Sequence, residues 1–376
     1  MRIVGAGPAG LYFALLMKKQ DPAHDILIVE QDPPDTTYGF GVVFSDAALA
    51  RIAKGDAEIF AMLRDAMEDW EDLAIVHKDR RVPIDGNAFA AIGRLRLLRL
   101  LQGLSAEAGV RMEFGTPLTS LDRLSDADLV VGADGLNSFV RRARKRCFRP
   151  RIRQLSNRFV WYGTPRVFET LTLTFRLNEH GAFVAHHYRY GPAMSTFIVE
   201  CDQATWACAG LERMSDDEGR AYCERLFAPE LGGHRLVSNR SFWRRFPVVT
   251  NERFYCGNVV LIGDALRTVH FSIGSGTRLA MEDAIFLAHA LREEGTDVAA
   301  ALALYEERRR PIVNKLLTAA AASFDWYESF HERMHLAPHE LAYDYMTRSG
   351  RMSDERLRKT APRFYTAYRN HKSVRR

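Results

Sequence analysis

Short apolar runs alternate with helical patterns over the first part of this 376-residue chain. Residues 1–4, 26–29 and 129–131 have the length and composition of buried strands, whereas 11–19 and 92–104 carry apolar residues at helical spacing. Strands that alternate with helices are typical of a parallel sheet with helices packed on its faces. We therefore predict an α/β domain at the start of the chain.

Between about 157 and 250 the helical spacing gives way to an alternation of apolar and polar residues, with many aromatic side chains. The stretches that show this pattern are FVWYGTP, LTLTFRL, AFVAHHYRY and MSTFIVEC. Such alternation predicts an antiparallel sheet that is inserted into the α/β domain. The chain then returns with VVLIGDAL, and helical patterns follow at about 277–294 and 297–330.

These patterns divide the chain into three parts. We assign 1–156 and 251–330 to a discontinuous nucleotide-binding domain, 157–250 to a substrate-binding β-sheet domain, and 331–376 to a C-terminal helical tail. Part of the segment 38–92 could belong to the sheet domain. Because no internal repeat or low-complexity linker separates the parts, we expect the two domains to share an interface.

The motif GAGPAG at 5–10 directly follows the first predicted strand. Its first glycine permits a tight turn, its second lets the backbone approach a pyrophosphate, and its third lets the helix pack on the strand. The helix that follows would point its N-terminal amides at the phosphates. Glu30 ends the second predicted strand, 20 residues after Gly10, where a carboxylate can accept hydrogen bonds from a ribose. Strand, turn, helix, strand and acid in this order predict a dinucleotide site.

A second glycine turn, IGDAL at 262–266, lies far downstream. Asp264 follows the apolar run at 259–262, which again has the composition of a buried strand. A nicotinamide dinucleotide needs only one such turn. Two turns this far apart predict a cofactor that distant parts of the chain hold along its whole length, as extended FAD is held.

The composition narrows the class of protein. The chain is 47% hydrophobic and has five cysteines, which are scattered, with no Cys-x-x-Cys pair and no zinc-type spacing. We therefore expect reduced thiols, no metal and a cytoplasmic location. The sequence shows no leader-like apolar stretch and none long enough to cross a membrane. We therefore expect no signal peptide and no membrane partner.

The net charge of +5 is distributed unevenly, with two basic segments at 141–153 and 351–376. The first carries eight Lys and Arg residues and no acid. Each segment could be a solvated surface, or it could bind the phosphates of an anionic substrate or a nicotinamide cofactor, since arginine forms charge-assisted bonds with phosphate. No nucleic-acid recognition motif accompanies the charge, so we expect no nucleic-acid partner.

Three motifs occur in order along the chain: GAGPAG, GADGLNSFVR at 132–141, and IGDAL. With this set the chain resembles the single-component FAD-dependent aromatic hydroxylases, the p-hydroxybenzoate hydroxylase group, over essentially its whole length. Within that group it is most similar to the salicylyl-CoA 5-hydroxylases and the violacein-pathway hydroxylase, through YGFGVVFSD, FVWYGT, STFIVE, HFSIGSGT and MTRSGRMSDERLR. The last of these, with GRLRLL and LYFALLMKK, favours the CoA-thioester branch.

The resemblance implies a fold and a set of cofactors. The fold would be a Rossmann-like FAD-binding domain with an inserted antiparallel β-sheet substrate domain and C-terminal helices. FAD would stay bound, NADH or NADPH would bind transiently to reduce it, and O2 would then react. The chain departs from many members of the group at Leu266, Arg267 and Phe271. The positions that match cofactor-binding positions of the group are Gly5, Ala6, Gly7, Pro8, Ala9, Gly10, Glu30, Gln31, Val42, Arg94, Asp134, Gly135, Gly263, Asp264, Gly274, Ser275, Gly276 and Thr277.

The reaction that the resemblance implies needs an electron-rich ring. Oxygen transfer from a flavin hydroperoxide favours the position para to a hydroxyl or amino group, and a base that takes the phenol proton assists it. His270, beside the expected flavin loop, is the first candidate base, although a structural hydrogen-bonding role is its alternative. Since neighbouring strand residues face opposite ways, only one of His186 and His187 can face the pocket, and the resemblance favours His186. The aromatic residues that would line a substrate slot, unless they belong to the core, are Trp161, Phe197 and Phe271.

The expected function is an FAD-dependent, NAD(P)H-using aromatic monooxygenase, with salicylyl-CoA 5-hydroxylation as the best specific candidate. Two alternatives stay open: hydroxylation of an indole or another free aromatic metabolite, and a flavin-dependent dehydrogenase or reductase that inserts no oxygen. A non-catalytic FAD-binding protein is a third. We expect a monomer or a homodimer that acts on a small aromatic molecule.

Overall fold

The computed structural model describes residues 1–274 and 276–374. Its strands are β1 (Arg2–Val4), β2 (Leu27–Val29), β3 (Gly41–Ser45), β4 (Glu68–Trp70), β5 (Leu73–His77), β6 (Arg80–Ile84), β7 (Phe89–Gly93), β8 (Arg111–Glu113), β9 (Val130–Gly132), β10 (Pro150–Thr164), β11 (Leu171–Asn178), β12 (Gly181–Gly191), β13 (Met194–Cys201), β14 (Arg244–Asn251), β15 (Tyr255–Cys256) and β16 (Val259–Leu261). Its helices are α1 (Pro8–Gln20), α2 (Asp46–Gly55), α3 (Ala57–Asp65), α4 (Arg94–Glu107), α5 (Phe139–Ala143), α6 (Lys145–Phe148), α7 (Gln203–Cys208), α8 (Asp216–Leu226), α9 (Ala228–Leu231), α10 (Gly276–Glu294), α11 (Val298–Glu328), α12 (Pro338–Thr347), α13 (Asp354–Thr360) and α14 (Pro362–Val374).

A six-stranded sheet forms the centre of the first domain, in the strand order β15-β16-β9-β1-β2-β8. The pairings from β16 to β8 are parallel, and β15 adds an antiparallel edge. Helices α1 and α10 contact each other, and both contribute to the hydrophobic core that includes β1, β9 and β16. The prediction of an α/β domain with a parallel sheet is confirmed.

The inserted region forms a seven-stranded sheet in the order β14-β10-β13-β12-β11-β5-β6. Its neighbouring strands pair antiparallel except β11 and β5, which are parallel. The sheet therefore includes two strands, β5 and β6, that precede the insertion in the sequence. It also begins at Pro150, earlier than the predicted start at 157. A small sheet of order β3-β7-β4 is the third in the fold.

Different parts of the chain cover the two faces of the seven-stranded sheet. Tyr162 and Phe197 lie on one face, in a core that includes residues of α7, α8 and α9. Phe175 and Val184 lie on the opposite face, in a core with the end of α11 and with α12 to α14. His186 is two residues beyond Val184 on β12, so its side chain is on this second face as well.

Long helices dominate the last third of the chain. The bounds of α10 and α11 lie within a few residues of the predicted 277–294 and 297–330. Asp297 caps α11, because its carboxylate accepts a hydrogen bond from the amide of Ala300. None of the helices within residues 1–274 and 276–374 has both the length and the apolar character that crossing a membrane requires.

The prediction of five reduced thiols is wrong. Cys147 in α6 and Cys256 in β15 form a disulfide across a sequence separation of 109 residues, while Cys201, Cys208 and Cys223 are free. The two half-cystines meet because α6 packs against β15, a contact that the spacing of cysteines in the sequence does not reveal. The cytoplasmic location was inferred from free thiols and loses that support.

Candidate active site

The first glycine turn packs so tightly that side chains are excluded from two of its positions. Gly5 has a φ of 104°, and a Cβ atom there would lie 2.5 Å from the carbonyl oxygen of Ala133. A Cβ atom at Gly10 would collide with the carbonyl group of Gly5. At Gly7, in contrast, the nearest atom would be 4.0 Å away, so this glycine borders open space. A bound pyrophosphate requires this combination of a closed turn and one accessible backbone position.

A cleft of about 270 Å³ opens beside this turn. Helix α1 begins there at Pro8, and among the described residues no side chain caps it, so its first amides can face a phosphate. The two carboxylate oxygens of Glu30 accept hydrogen bonds from the amides of Ala6, at 2.7 Å, and Asp32, at 2.9 Å. Each oxygen keeps a further lone pair for a ribose hydroxyl. The predicted cofactor residues that line the cleft are Gly5, Ala6, Gly7, Pro8, Glu30, Gln31, Arg94, Asp134 and Gly135.

One carboxylate oxygen of Asp134 accepts a hydrogen bond within the protein, and the other is without a donor among the described residues. Its Oδ2 accepts the amide of Val140 at 3.1 Å at the start of α5, whereas no described residue donates a hydrogen bond to its Oδ1. Burial raises the pKa of Asp134 from its ordinary value, although the hydrogen bonds at this turn act in the opposite direction. A buried carboxylate oxygen without a donor is suited to a ligand that brings one.

The basic segment 141–153 is divided between structure and solvent. Arg141 is buried and donates to the carbonyl oxygen of Ala265 at 2.9 Å, which ties α5 to the second glycine turn. Arg142 lines the cleft. Arg149 forms an exposed ion pair with Glu252 at 3.0 Å. Of these three arginines, only Arg142 therefore borders the cleft.

Arg94 lines the cleft, and Asp264 of the second glycine turn interacts with its charge. The amide of Arg94 donates to the carbonyl oxygen of Phe40 at 2.7 Å, which fixes the start of α4. Burial lowers the pKa of the Arg94 guanidinium, and the charge of Asp264 opposes this shift. Removal of water by the surrounding protein raises the pKa of Asp264, whereas the charges of Arg94 and Arg267 act to lower it. The side chain of Asp264 is nevertheless exposed, which leaves its oxygens accessible to the hydroxyl groups of an extended ligand.

The loop before α10 carries the remaining predicted cofactor contacts. Gly274 lies against the side chain of Val43, and Gly276 begins α10 with open space around it, followed by Thr277. Ser275 lies outside the described residues. The side chain of Val42 belongs to the hydrophobic core, so only its backbone can face a ligand.

An extended FAD fits this set of residues. Open space borders Gly7, Gly135 and Gly276, one glycine from each of three separate segments. The unpartnered Oδ1 of Asp134 offers an acceptor between the first two segments. Ala9 and Gly263 have a different role, because they pack close to each other and join α1 to the second glycine turn.

Arg267 is buried and clamps the second glycine turn onto α10. Its guanidinium donates to both carboxylate oxygens of Asp283, at 2.6 and 3.0 Å, and Asp283 also accepts the amide of Gly263 at 2.9 Å. Arg309 of α11 donates to the same carboxylate at 2.8 Å. The departure at Arg267 noted in the sequence is therefore part of a closed ion cluster that holds the turn in place.

Replacing Arg267 with methionine is expected to lower the free energy of unfolding by about 3–5 kcal/mol, because it breaks a buried ion pair and leaves a carboxylate undercompensated. Denaturant unfolding of the purified protein measures the change. The matched control is Arg308→Met, which removes a solvent-exposed pair of α11 with Glu293 of α10 and should change stability little. Equal effects of the two substitutions would contradict the assignment.

An aromatic cluster fills the contact between the seven-stranded sheet and the loop before α10. We call residues 270–274 of this loop the flavin loop. Phe271 lies at its centre, with ring centroids 4.1 Å from His270, 4.9 Å from Phe159 and 5.4 Å from His186. Tyr327 of α11 stacks on His186 at 5.2 Å. The structure therefore brings His186 of β12 together with His270 and Phe271, which lie far downstream in the chain.

The two histidines of this cluster differ in their surroundings. His270 is buried, and its Nδ1 accepts the amide of Ser272 at 3.3 Å. Burial lowers the pKa of His270 to about 4, although the charge of Glu200 acts in the opposite direction. His186 Nε2 lies 3.7 Å from Oε2 of the buried Glu200. At neutral pH His270 is thus uncharged, while His186 has a carboxylate beside it.

Glu200 is a site residue that sequence reasoning missed. It lies in β13 directly opposite Phe159 of β10, and its Oε1 accepts the side-chain amide of Asn157 at 2.8 Å. Burial by itself would raise the pKa of Glu200, but its interactions with His186, His270 and Asn157 lower it overall. A single acid within the apolar alternation of STFIVEC was the signal that could have identified it.

The prediction that Phe197 lines the substrate slot is wrong. Phe197 lies on the opposite face of the sheet, where it stacks on His187 at 5.3 Å and packs against Phe227. His187 accordingly faces away from the aromatic cluster, and burial lowers its pKa to about 3. Trp161 is on the same face as Phe159 but packs against Gly39, beside the cluster.

Two arginines join the site without having been predicted. Arg244 of β14 lies 5.3 Å from the ring of Phe159, and burial together with the charge of Arg94 lowers the pKa of its guanidinium. Arg348 donates to the carbonyl oxygen of Ser272 at 2.9 Å and so attaches the C-terminal helices to the flavin loop. Neither position follows a recognisable motif, since each acts through a contact between distant segments.

The model of an FAD binding domain matches residues 100–320 of the chain. A salicyloyl-CoA 5-hydroxylase from a Streptomyces species is 41% identical over 92% of this chain and 69% of that protein. A protodeoxyviolaceinate monooxygenase from Chromobacterium violaceum is 36% identical over 92% of this chain and 93% of that protein. A 3-hydroxy-4-methyl-anthranilyl-(aryl-carrier protein) 5-monooxygenase from Streptosporangium sibiricum is 37% identical over 94% of this chain and 95% of that protein.

The fold also has close counterparts among solved structures. A mutant of 2-methyl-3-hydroxypyridine-5-carboxylic acid oxygenase superposes with a TM-score of 0.73 at 18% identity, over 96% of this chain and 95% of that one. The prediction of a Rossmann-like domain with an inserted sheet and C-terminal helices, as in the p-hydroxybenzoate hydroxylase group, is confirmed.

Proposed function

The chain belongs to the FAD-dependent aromatic hydroxylases, and from this premise we propose that it hydroxylates an aromatic ring carried as a thioester, with salicyloyl-CoA as the best candidate. The enzyme is a monooxygenase that uses FAD, NAD(P)H and O2. In the overall reaction NAD(P)H gives two electrons, one oxygen atom enters the ring, and the other leaves as water.

The names of two relatives support the thioester and the position of attack. One acts on a salicyloyl group on CoA and the other on an anthranilyl group on an aryl-carrier protein, and both are 5-monooxygenases. In both rings, position 5 lies para to the hydroxyl or amino group at position 2. We propose the same relation here: attack occurs para to a donor that is ortho to the acyl group.

FAD, when bound, supplies the redox and oxygen chemistry. We propose that Gly7 and the start of α1 hold its pyrophosphate, that Glu30 accepts from the adenosine ribose, and that Asp264 accepts from the ribityl hydroxyls. The loop 270–277 would then place the flavin ring against the aromatic cluster. The protein contributes binding, orientation and the exclusion of water.

His186 is the proposed acceptor of the substrate's phenol proton. The carboxylate of Glu200 lies 3.7 Å from Nε2, so a proton taken up by His186 would have a negative charge beside it. Removal of the phenol proton makes the ring more electron-rich at the para position, which is where the oxygen atom is added. The observation that carries this assignment is a buried His–Glu pair in contact with Phe271 of the flavin loop.

His270 has a different proposed role. Its pKa of about 4 keeps it uncharged, and its Nδ1 caps the turn Phe271–Ile273 by accepting the Ser272 amide. We assign it as a positioning residue that shapes the flavin loop, in place of the general base suggested first by the sequence.

The second candidate function is hydroxylation of a free aromatic metabolite. It is favoured by the 36% identity to protodeoxyviolaceinate monooxygenase, whose length this chain spans almost completely. A flavin-dependent dehydrogenase that inserts no oxygen does not agree with membership of a monooxygenase family.

Steady-state turnover of salicyloyl-CoA and free salicylate separates the two candidates. We expect kcat/KM for the thioester to be higher by on the order of 100-fold, because the binding energy of the substrate part remote from the ring helps to stabilise the transition state. NAD(P)H oxidation and hydroxylated product should agree in amount for the thioester only. Equal or better turnover of free salicylate would favour the second candidate.

A further inference from the structure

A groove of about 540 Å³ lies between α2, α10 and α11, and its lining differs from that of the nucleotide cleft. We call it the basic groove. The residues that line it are Arg51, Lys54, Gly55, Glu282, Ile285, Phe286, His289, Arg309, Ile312, Lys315, Leu316 and Arg351. None of them lines the nucleotide cleft or belongs to the aromatic cluster.

Positive charge is in excess along the basic groove. Five of its side chains are cationic and one is a carboxylate. That carboxylate, Glu282, is already compensated by Arg309 at 2.9 Å and by Arg51 at 3.3 Å. The exposed Lys54 and Lys315 have their charges facing solvent. Since Arg51 and Arg309 pair with carboxylates, the excess rests on Lys54, Lys315 and Arg351, and a concave surface with such an excess attracts an anion.

Arg278 supplies an independent sign of a missing anionic partner. It is 5% exposed and lies 3.5 Å from the carboxylate of Glu282, which lines the groove. Among the residues that the structure describes, neither its Nε nor its Nη2 has a hydrogen-bond partner. Burial lowers the pKa of Arg278, and the charges of Arg51 and Arg351 lower it further. Buried donors of this kind are costly unless an acceptor reaches them.

The floor of the groove is apolar and partly aromatic. Ile285, Ile312 and Leu316 form it together with Phe286, and the guanidinium of Arg309 lies 5.0 Å from the Phe286 ring. A flat base can lie on such a floor while its phosphates meet the cationic rim. The volume of about 540 Å³ is within the range of small-molecule sites.

We propose that the basic groove binds the phosphate-bearing adenine nucleotide part of a co-substrate. Two molecules in the reaction carry this group: the nicotinamide cofactor and, if the proposed function is correct, CoA. The position is suitable for either, because Arg278 is two residues beyond Gly276 at the flavin loop. Ile312 and Leu316 also pack with Val269 and Ile273, which flank the start of that loop.

Calorimetric titration of the FAD-loaded enzyme with adenosine 3′,5′-bisphosphate and with ADP tests the proposal without turnover. The loaded enzyme is used because FAD then occupies the nucleotide cleft. We expect the double variant Arg51→Glu/Lys54→Glu to weaken binding by about 10-fold or more, since charge-assisted contacts to phosphate are lost. Arg278→Gln should also weaken binding of the probes. Because Arg278 is buried, this variant could fail to fold, and the exposed double variant at Arg51 and Lys54 then still tests the proposal.

The matched control is Arg213→Glu/Arg253→Glu, which reverses two exposed charges elsewhere and should bind both probes like the unaltered enzyme.

The KM values of the double groove variant then identify the source of the nucleotide. An increase in KM for the thioester assigns the groove to CoA, and an increase for NAD(P)H assigns it to the nicotinamide cofactor. Absence of probe binding, unchanged binding by the groove variants, or unchanged KM for both co-substrates overturns the proposal. The probe titrations do not depend on the thioester being a substrate, so failure of the proposed function is seen separately.

Discussion

Replacing Asp264 with alanine is expected to yield an enzyme that purifies without bound FAD. The carboxylate belongs to the second glycine turn and interacts with the charge of Arg94, and we propose that it accepts hydrogen bonds from the ribityl chain. A hydrogen bond to a charged group contributes about 1.5–3 kcal/mol, so we expect FAD affinity to fall by about 10- to 150-fold. The flavin absorbance of the purified protein and titration of the apoprotein with FAD measure this loss.

Asp264→Asn is the matched control for this prediction. It removes the charge but keeps a carbonyl acceptor, so its FAD affinity should lie between those of the alanine variant and the unaltered enzyme. Circular dichroism establishes that each variant is folded. A folded Asp264→Ala enzyme with full flavin occupancy would show that Asp264 does not hold the cofactor.

Replacing Glu200 with glutamine is expected to reduce hydroxylation by on the order of 100-fold, the lower range for loss of general-base assistance. The substitution keeps the oxygen that accepts from Asn157 but removes the charge beside His186. NAD(P)H oxidation should continue without matching product. The acid limb of the kcat/KM pH profile should change, because glutamine does not titrate in place of a carboxylate whose pKa its partners hold below the ordinary value.

The pH profile distinguishes a role in proton transfer from a purely structural one. Glu328→Gln serves as control, since Glu328 accepts backbone amides from the same segment, including that of Asn157, but has no contact with His186 among those described. Its product yield and acid limb should remain those of the unaltered enzyme. An unshifted acid limb in Glu200→Gln would contradict the assignment of the His186–Glu200 pair.

The nucleotide cleft could be predicted from sequence because its chemistry is local. Gly5, Gly7 and Gly10 are set by one strand, one turn and one helix, and Glu30 follows on the next strand. Asp264 could be proposed for the same reason, since a carboxylate that closely follows a buried strand lies at the carboxyl end of the sheet, where cofactors bind.

The aromatic site could be predicted only in part because it depends on sheet register and distant packing. Alternation shows that His186 and His187 face opposite ways, but not that Phe197 shares the face of His187. The pairing of His186 with Glu200 requires the register of β12 against β13, and Tyr327 reaches them from α11. The disulfide and the basic groove likewise depend on contacts between segments that are far apart in the chain.

The most direct test of the account is the fate of isotopically labelled oxygen gas. The FAD-loaded enzyme, NAD(P)H, salicyloyl-CoA and ¹⁸O2 are incubated, and the product is identified by mass and by ring position. We predict one ¹⁸O atom per product, located para to the original hydroxyl group, in an amount equal to the NAD(P)H oxidised. A product without label, or NAD(P)H oxidation that yields no hydroxylated thioester, would contradict the account.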